Sequence, residues 1–178
     1  MTPPFRDHDD FPDLLRQIRD WLAADPESAR RRYLGAHIFG LVAGPYDARV
    51  TDVIDEYLDD SDPVKIRVAA AMLSKAPRTL VWDVGFVRRC LRAADRHGDA
   101  SLKRVRGALH AASISGMRSG TPGQPYPEDV EQHTKATELV EGCARGSVEE
   151  QFYRDLADFA LHRIQDETDE PSADGRDW

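Results

Sequence analysis

Residues 58–73 read Leu58-Asp59-Asp60-Ser61-Asp62-Pro63-Val64-Lys65-Ile66-Arg67-Val68-Ala69-Ala70-Ala71-Met72-Leu73. This stretch contains a complete helix start. The Asp62 carboxylate suits the free amides of a first turn, and Pro63 brings the fixed φ and missing N–H that the first helical position tolerates. Ile66, Ala69, Ala70 and Leu73 then share one stripe, and Pro77 lies beyond the helix end. Upstream, Val50, Val53, Ile54, Tyr57 and Leu58 follow i, i+3, i+4, i+7, i+8, with Asp52, Asp55, Glu56 and Asp59 on the other side. Two amphipathic helices joined by a short acidic turn are predicted.

The pattern recurs along the chain. Asp25, Asp62 and Asp99 are spaced by 37 residues, and Arg30, Arg67 and Arg104 each follow five positions later. A fixed period of this size is what stacked supersecondary units leave in a sequence. A first helix is predicted from near Asp10, on Leu14, Leu15, Ile18 and Leu22. A second starts at Asp25-Pro26. Its Tyr33, Leu34, Ile38, Phe39, Leu41 and Val42 surround the axis, which predicts an interior helix. Asp83 opens a fifth on Val87, Cys90, Leu91 and Ala94, ended by Gly98. Asp99 opens a sixth on Leu102, Val105, Leu109 and Ala112, ended by Gly116. A seventh covers 128–144, and Ser147 with Glu150 forms a capping box for an eighth on Phe152, Leu156, Phe159 and Ile164. Ser147 lies 48 residues after Asp99, eleven more than the period, and the eleven residues 117–127 are rich in proline and glycine. They read as a loop inserted in the array. The expected organisation is all-α: eight helices in four antiparallel pairs within one domain at 11–167. A flexible segment 1–10 precedes it, and an acidic, disordered tail 168–178 follows.

Residues 58–73 resemble the turn and second helix of a HEAT-like repeat, with its aspartate-proline turn, the arginine shortly after, and alanines running into a leucine. The resemblance covers 50–75 best, extends over 83–115, and fades towards both ends, where terminal units face water. It implies a right-handed α-solenoid of helical hairpins that holds a protein partner and, in some members, nucleic acid. It also implies that Arg30, Arg67 and Arg104 form a ladder with aspartates of neighbouring repeats.

Charge is distributed unevenly. The chain carries −8 overall, with −6 over 1–61, +8 over 62–118 and −10 over 119–178. A basic middle between acidic ends is the strongest functional signal in the sequence. Arg88, Arg89, Arg92 and Arg96 occupy one arc of the fifth helix, opposite Val87, Cys90, Leu91 and Ala94. Lys103 and Arg106 follow on the sixth helix, and Lys75 and Arg78 precede on the connection. This cluster is a candidate surface for an acidic protein or a phosphate backbone, or a face neutralised by the chain's own acids. The loop supplies Arg118, Gln124 and Tyr126 as further candidates.

Catalytic and metal motifs are thin. The six histidines form no two-histidine ligand spacing, and no phosphate loop, nucleophile elbow or dinucleotide fingerprint occurs. No cofactor is implied. Trp82-Asp83 invites comparison with HEAT-like DNA glycosylases, but Asp83 reads better as a helix cap and Trp82 as the apolar residue before it. Cys90 and Cys143 read as small core residues. The N-terminus has no signal-peptide pattern and no apolar run spans a bilayer, so a cytoplasmic location is expected. The preferred reading is a non-catalytic scaffold for an acidic protein surface. The alternative is nucleic-acid binding through 62–118, with glycosylase activity third.

Overall fold

A computed structural model describes residues 10–44, 48–114 and 124–169. Among these residues the protein is all-helical. Its helices are α1 (Phe11–Ala23), α2 (Ala29–Ala43), α3 (Ala48–Leu58), α4 (Pro63–Leu73), α5 (Val84–Asp95), α6 (Asp99–Ser113), α7 (Pro127–Gly142) and α8 (Val148–Asp169). A 3-10 turn, Arg78–Trp82, precedes α5. The chain divides into two compact units, Met1–Ser115 and Gly116–Trp178.

In the first unit α1 packs on α2, α3 on α4 and α5 on α6. The even-numbered helices also pack on one another in the order α2, α4, α6, and the odd-numbered ones in the order α1, α3, α5. Leu15, Leu22, Phe39, Ile54, Leu58, Ile66, Leu73, Val87, Leu91 and Leu109 are fully buried between them. The apolar stripes read for α1, α3, α4, α5 and α6 are the buried ones, apart from the half-buried Leu14 and Leu102. Burying one such aliphatic side chain is worth about 1.5–3 kcal/mol.

The second helix departs from its reading. Its buried residues are Gly35, Ala36, Phe39 and Ala43. Tyr33, Leu34, Ile38 and Leu41 are exposed, at 62%, 42%, 45% and 78%. The cause is steric. A Cβ added at Gly35 would stand 2.3 Å from Leu22 Cδ2, and one at Gly40 would stand 2.7 Å from the Lys75 carbonyl oxygen. The helix turns Gly35, Ala36, Gly40 and Ala43 together with Phe39 to its neighbours, and Tyr33, Leu34, Ile38 and Leu41 face outward.

In the first unit Asp62 and Asp83 cap as the sequence implies, whereas Asp25 and Asp99 do not. The Asp62 carboxylate accepts from the Val64 amide at 2.8 Å, and that of Asp83 from the Phe86 amide at 3.0 Å. Asp25, however, only accepts from Ser28 N through its carbonyl, at 3.3 Å. Ser28 is the true cap of α2, its Oγ accepting from Arg31 N at 3.2 Å. At α6 the cap position belongs to Gly98, whose φ of 87° favours glycine, and Asp99 sits one residue inside. Helix α5 has already ended at Asp95, so Gly98 serves the following helix. The expected stop at Gly116 lies outside the described residues.

The 37-residue spacing instead recurs in several contacts along the α1, α3, α5 side. Tyr57 donates to Asp20 Oδ1 at 2.9 Å, Arg19 pairs with Glu56, His97 Nε2 meets the Asp60 carbonyl at 3.1 Å, and Arg96 lies 3.6 Å from Asp59. Each of these pairs is separated by 37 positions.

In the second unit α7 packs on α8, burying Ala136, Phe152, Tyr153, Leu156 and Ala160. Ser147 Oγ accepts from Glu150 N at 3.1 Å, and the Glu150 carboxylate reaches back to the Gly146 amide, so the capping box closes one residue early. Arg163 pairs with the buried Asp129 at 2.6 Å. The last helix runs on through Thr168, whose hydroxyl donates to the Gln165 carbonyl at 2.8 Å, beyond the start expected for the tail. Residues 170–178 lie outside the described part, as do 1–9.

Two stability measurements test this account. Leu73→Ala is expected to cost ~2–5 kcal/mol, whereas Leu41→Ala changes stability by less than about 0.5 kcal/mol. Urea unfolding followed by circular dichroism reads both, and equal losses would mean that α2 presents the opposite face. The caps separate as well. Asp62→Ala is expected to cost ~0.5–2 kcal/mol. Asp99→Ala removes only a favourable charge near the helix dipole, worth about 0.3–1 kcal/mol. A larger loss at Asp99 would contradict the cap assignment of α6.

Candidate functional site: a cationic groove across three helices

The row of α2, α4 and α6 is made of residues that leave room. Ala36, Ala70, Ala71, Gly107 and Ala108 form a floor whose side chains are a methyl group or nothing, and Ser74 adds one hydroxyl. Around this floor stand Arg32 and Tyr33 from α2, Arg67 from α4, Lys75 just beyond it, and Arg104 from α6. They enclose a groove of about 370 Å³. No carboxylate is among the described residues lining it.

Two of its cations are held in place from outside. Arg67 Nη1 pairs with Glu27 at 2.7 Å, and Arg32 Nη1 donates to the Pro26 carbonyl. Neither tie removes the groove's positive character, because Glu27 is exposed and screened by water. The side chains of Lys75 and Arg104 make no ion pair with any described residue. The groove is thus a partly preorganised set of donors over an apolar floor, suited to anionic groups on a narrow chain.

The basic cluster read from the sequence is divided by the fold. Only Lys75 of that cluster lines the groove. Arg88, Arg89 and Arg92 lie on α5 and Arg96 is its C-cap, in the row that also contains the acidic helix α3. Arg89 Nη2 binds Asp55 at 3.0 Å, and Arg96 faces Asp59 at 3.6 Å. Burial pushes the Asp55 carboxyl above its ordinary range, against the opposing pull of Arg89, which marks this pair as packing chemistry. Arg78 is half-buried in the 3-10 turn. Lys103 and Arg106 line a separate hollow beside Leu102 and Asp99, so a carboxylate is present there. In the loop, Arg118 lies outside the described residues and Gln124 is exposed. Tyr126 is the N-cap residue of α7, its carbonyl accepting from the amides of Asp129 and Val130 at 3.0 and 3.2 Å.

The groove's own arginines were read differently. Arg67 and Arg104 belong to the column for which a ladder with aspartates was expected. Arg67 instead pairs with Glu27, and Arg104 turns to the groove. Arg32 was not singled out, because α2 starts three residues later than its aspartate implied. The available signal was the run of small residues at Ala70, Ala71, Gly107 and Ala108 beside basic ones.

The remaining reactive groups are quiet. Burial raises the Cys90 thiol well above its usual range, which leaves it protonated and unreactive. Among the described residues no group of three or more metal-ligating side chains is assembled, and no helix is long and apolar enough to cross a membrane. No known protein family, no curated protein and no solved structure matches the chain.

The division of the arginines predicts a contrast. Arg89→Ala strips Asp55 of its counter-ion and is expected to lower the urea midpoint at pH 7, while Arg104→Ala leaves it unchanged. Asp55 has a raised folded pKa, so it binds protons more readily in the folded state, and its cost is present above that pKa. The deficit of Arg89→Ala should therefore shrink as pH falls towards the carboxylate range. A deficit independent of pH would show that Arg89 acts by packing alone.

Proposed function

We propose that the chain is a non-catalytic binding module, a HEAT-like α-solenoid of antiparallel helical hairpins, whose cationic groove holds an acidic segment of a partner protein. The observation carrying this reading is the groove itself: four cations from three successive even-numbered helices or their ends, above a floor of alanine and glycine. Support for the repeat architecture comes from the pairing order of α1 to α6 and from side chains that meet across 37 residues. The groove's lining is suited to gripping anions, being composed of cations, a phenol, a hydroxyl and methyl groups.

Size narrows the ligand. Adjacent packed helices lie about 8–10 Å apart, so a path over three of them covers roughly 16–20 Å. Extended chain advances about 3.3–3.6 Å per residue, which makes that path five or six residues long. A duplex is too broad for a hollow of 370 Å³. A single strand remains a second reading, favoured by Tyr33, whose exposed ring at the groove edge offers a base a stacking surface.

Fluorescence anisotropy with labelled hexaglutamate and labelled oligothymidylate tests both. Hexaglutamate is expected to bind at low salt, and Lys75→Glu with Arg104→Glu to weaken it by roughly tenfold or more, the equivalent of 1.4 kcal/mol. Absence of binding, or indifference to the double variant, would refute the groove. Tighter binding of the oligonucleotide, lost in Tyr33→Ala, would give the site to single strands instead.

A further inference from the structure

The outward face of α2 is a second surface, distinct from the groove. Leu34, Ile38 and Leu41 recur at i, i+4, i+7 and fall within about 60° of the helix circumference. All three are exposed, and so is Trp21 of α1, at 42%, whose ring stands against Gly35 of α2. A row of three large aliphatic side chains beside an indole is unusual on water-facing helix surface and marks an interaction site. It lies at the end of the α2, α4, α6 row, where an array needs a polar outer face to remain free in solution.

The charges that α2 itself brings to this stripe are of one sign, and the acids nearby, Asp20, Asp25 and Glu27, lie on α1 and the connection before α2. Arg30, Arg31 and Arg32 crowd the first turn of α2, and the helix carries no acidic residue. Positive charge at a helix N-terminus opposes the helix dipole, so this placement favours an anion near the first turn. The Arg31 guanidinium lies 4.7 Å from the centroid of the Trp21 ring, which holds the cation at the margin of the stripe. Arg30 is exposed and pairs with no described residue. The nearest acid along the chain, Glu27, is engaged with Arg67.

We propose that Leu34, Ile38, Leu41 and Trp21 form a docking surface for an acidic amphipathic helix of a partner protein. Its apolar residues at i, i+3 or i+4, and i+7 cover the stripe, and its carboxylates meet Arg30 and Arg31. A second copy of this chain is a poorer match. Two α2 helices packed about a two-fold axis would bring the arginines of one against residues 40–44 of the other, Gly-Leu-Val-Ala-Gly, which offer no carboxylate. The proposal does not depend on the groove, and its test separates the two.

The probe is a labelled 18-residue peptide with leucine at alternating third and fourth positions and glutamate on its remaining face. A second peptide carries lysine in place of glutamate. The full chain is expected to bind the acidic peptide and to discriminate against the basic one. Ile38→Ser with Leu41→Ser should weaken binding by roughly tenfold or more, with the urea midpoint unchanged because both positions are exposed. Arg30→Glu with Arg31→Glu should weaken it too and improve binding of the lysine peptide, an independent check should the first variant fold poorly. Lys75→Glu with Arg104→Glu should leave binding as it was. Equal affinity for both peptides, or indifference to the stripe variants, would overturn the proposal. So would a dimer that dissolves on Ile38→Ser with Leu41→Ser, or retention on phosphatidylserine vesicles that needs the stripe while the acidic peptide fails to bind.

Discussion

Helix α2 is held against its neighbours at two points where no side chain fits. Gly35 meets Leu22 and Gly40 meets the Lys75 carbonyl, each closer than a Cβ allows. Packed interiors do not yield by ångströms, so these contacts fix the rotation of the helix about its axis. Once that rotation is set, Phe39 points inward. Arg32, Tyr33 and Ala36 line the groove, and Leu34, Ile38 and Leu41 are left outside. An alanine at Gly40 would press on the backbone beyond the end of α4, and one at Gly35 would displace the buried Leu22 side chain.

A polar seam fixes the other row. Arg19 is buried, and a guanidinium there is tolerable only with its charge matched. It pairs with Glu56 and Asp20, donates to the Val53 carbonyl at 3.3 Å, and lies 4.1 Å from the Tyr57 ring centroid. Hydrogen bonding from Arg16, joined by Arg19, holds the Glu56 carboxyl below its usual range despite the opposing effect of burial. A lowered carboxylate contributes stability above its unfolded pKa and loses it as pH falls through the folded one. The seam therefore ties α1 to α3 most firmly near neutrality. Its continuation from α3 to α5, through Asp55–Arg89 and Asp59–Arg96, consumes basic charge that the sequence offered as a binding face.

Much of the helical plan was legible because it rests on local chemistry. Asp62 and Asp83 cap as their neighbours imply, and the stripes of α3 to α6 follow simple periodicity. Legibility failed where two local solutions competed. Ser28 caps as well as Asp25 and stands closer to the helical run, and Gly98 reaches a positive φ that leaves Asp99 inside the helix. Large apolar residues dominated the reading of α2, while the decisive information lay in Gly35 and Gly40. Whether a glycine weakens a helix or admits a neighbour depends on contacts that one sequence does not display. The groove was hidden for a related reason, since its floor is defined by missing side chains.

Segregation of charge by row explains how an acidic protein can carry a positive groove. The net charge is −8, yet acids concentrate on α3 and beyond residue 118, while the even-numbered helices of the first unit contain one acidic residue, Asp99. Charges are screened over about 8–10 Å at physiological to 0.1 M salt. Inside the groove the local cations therefore outweigh the overall charge, because Arg32, Arg67, Lys75 and Arg104 line it with no carboxylate among the described residues.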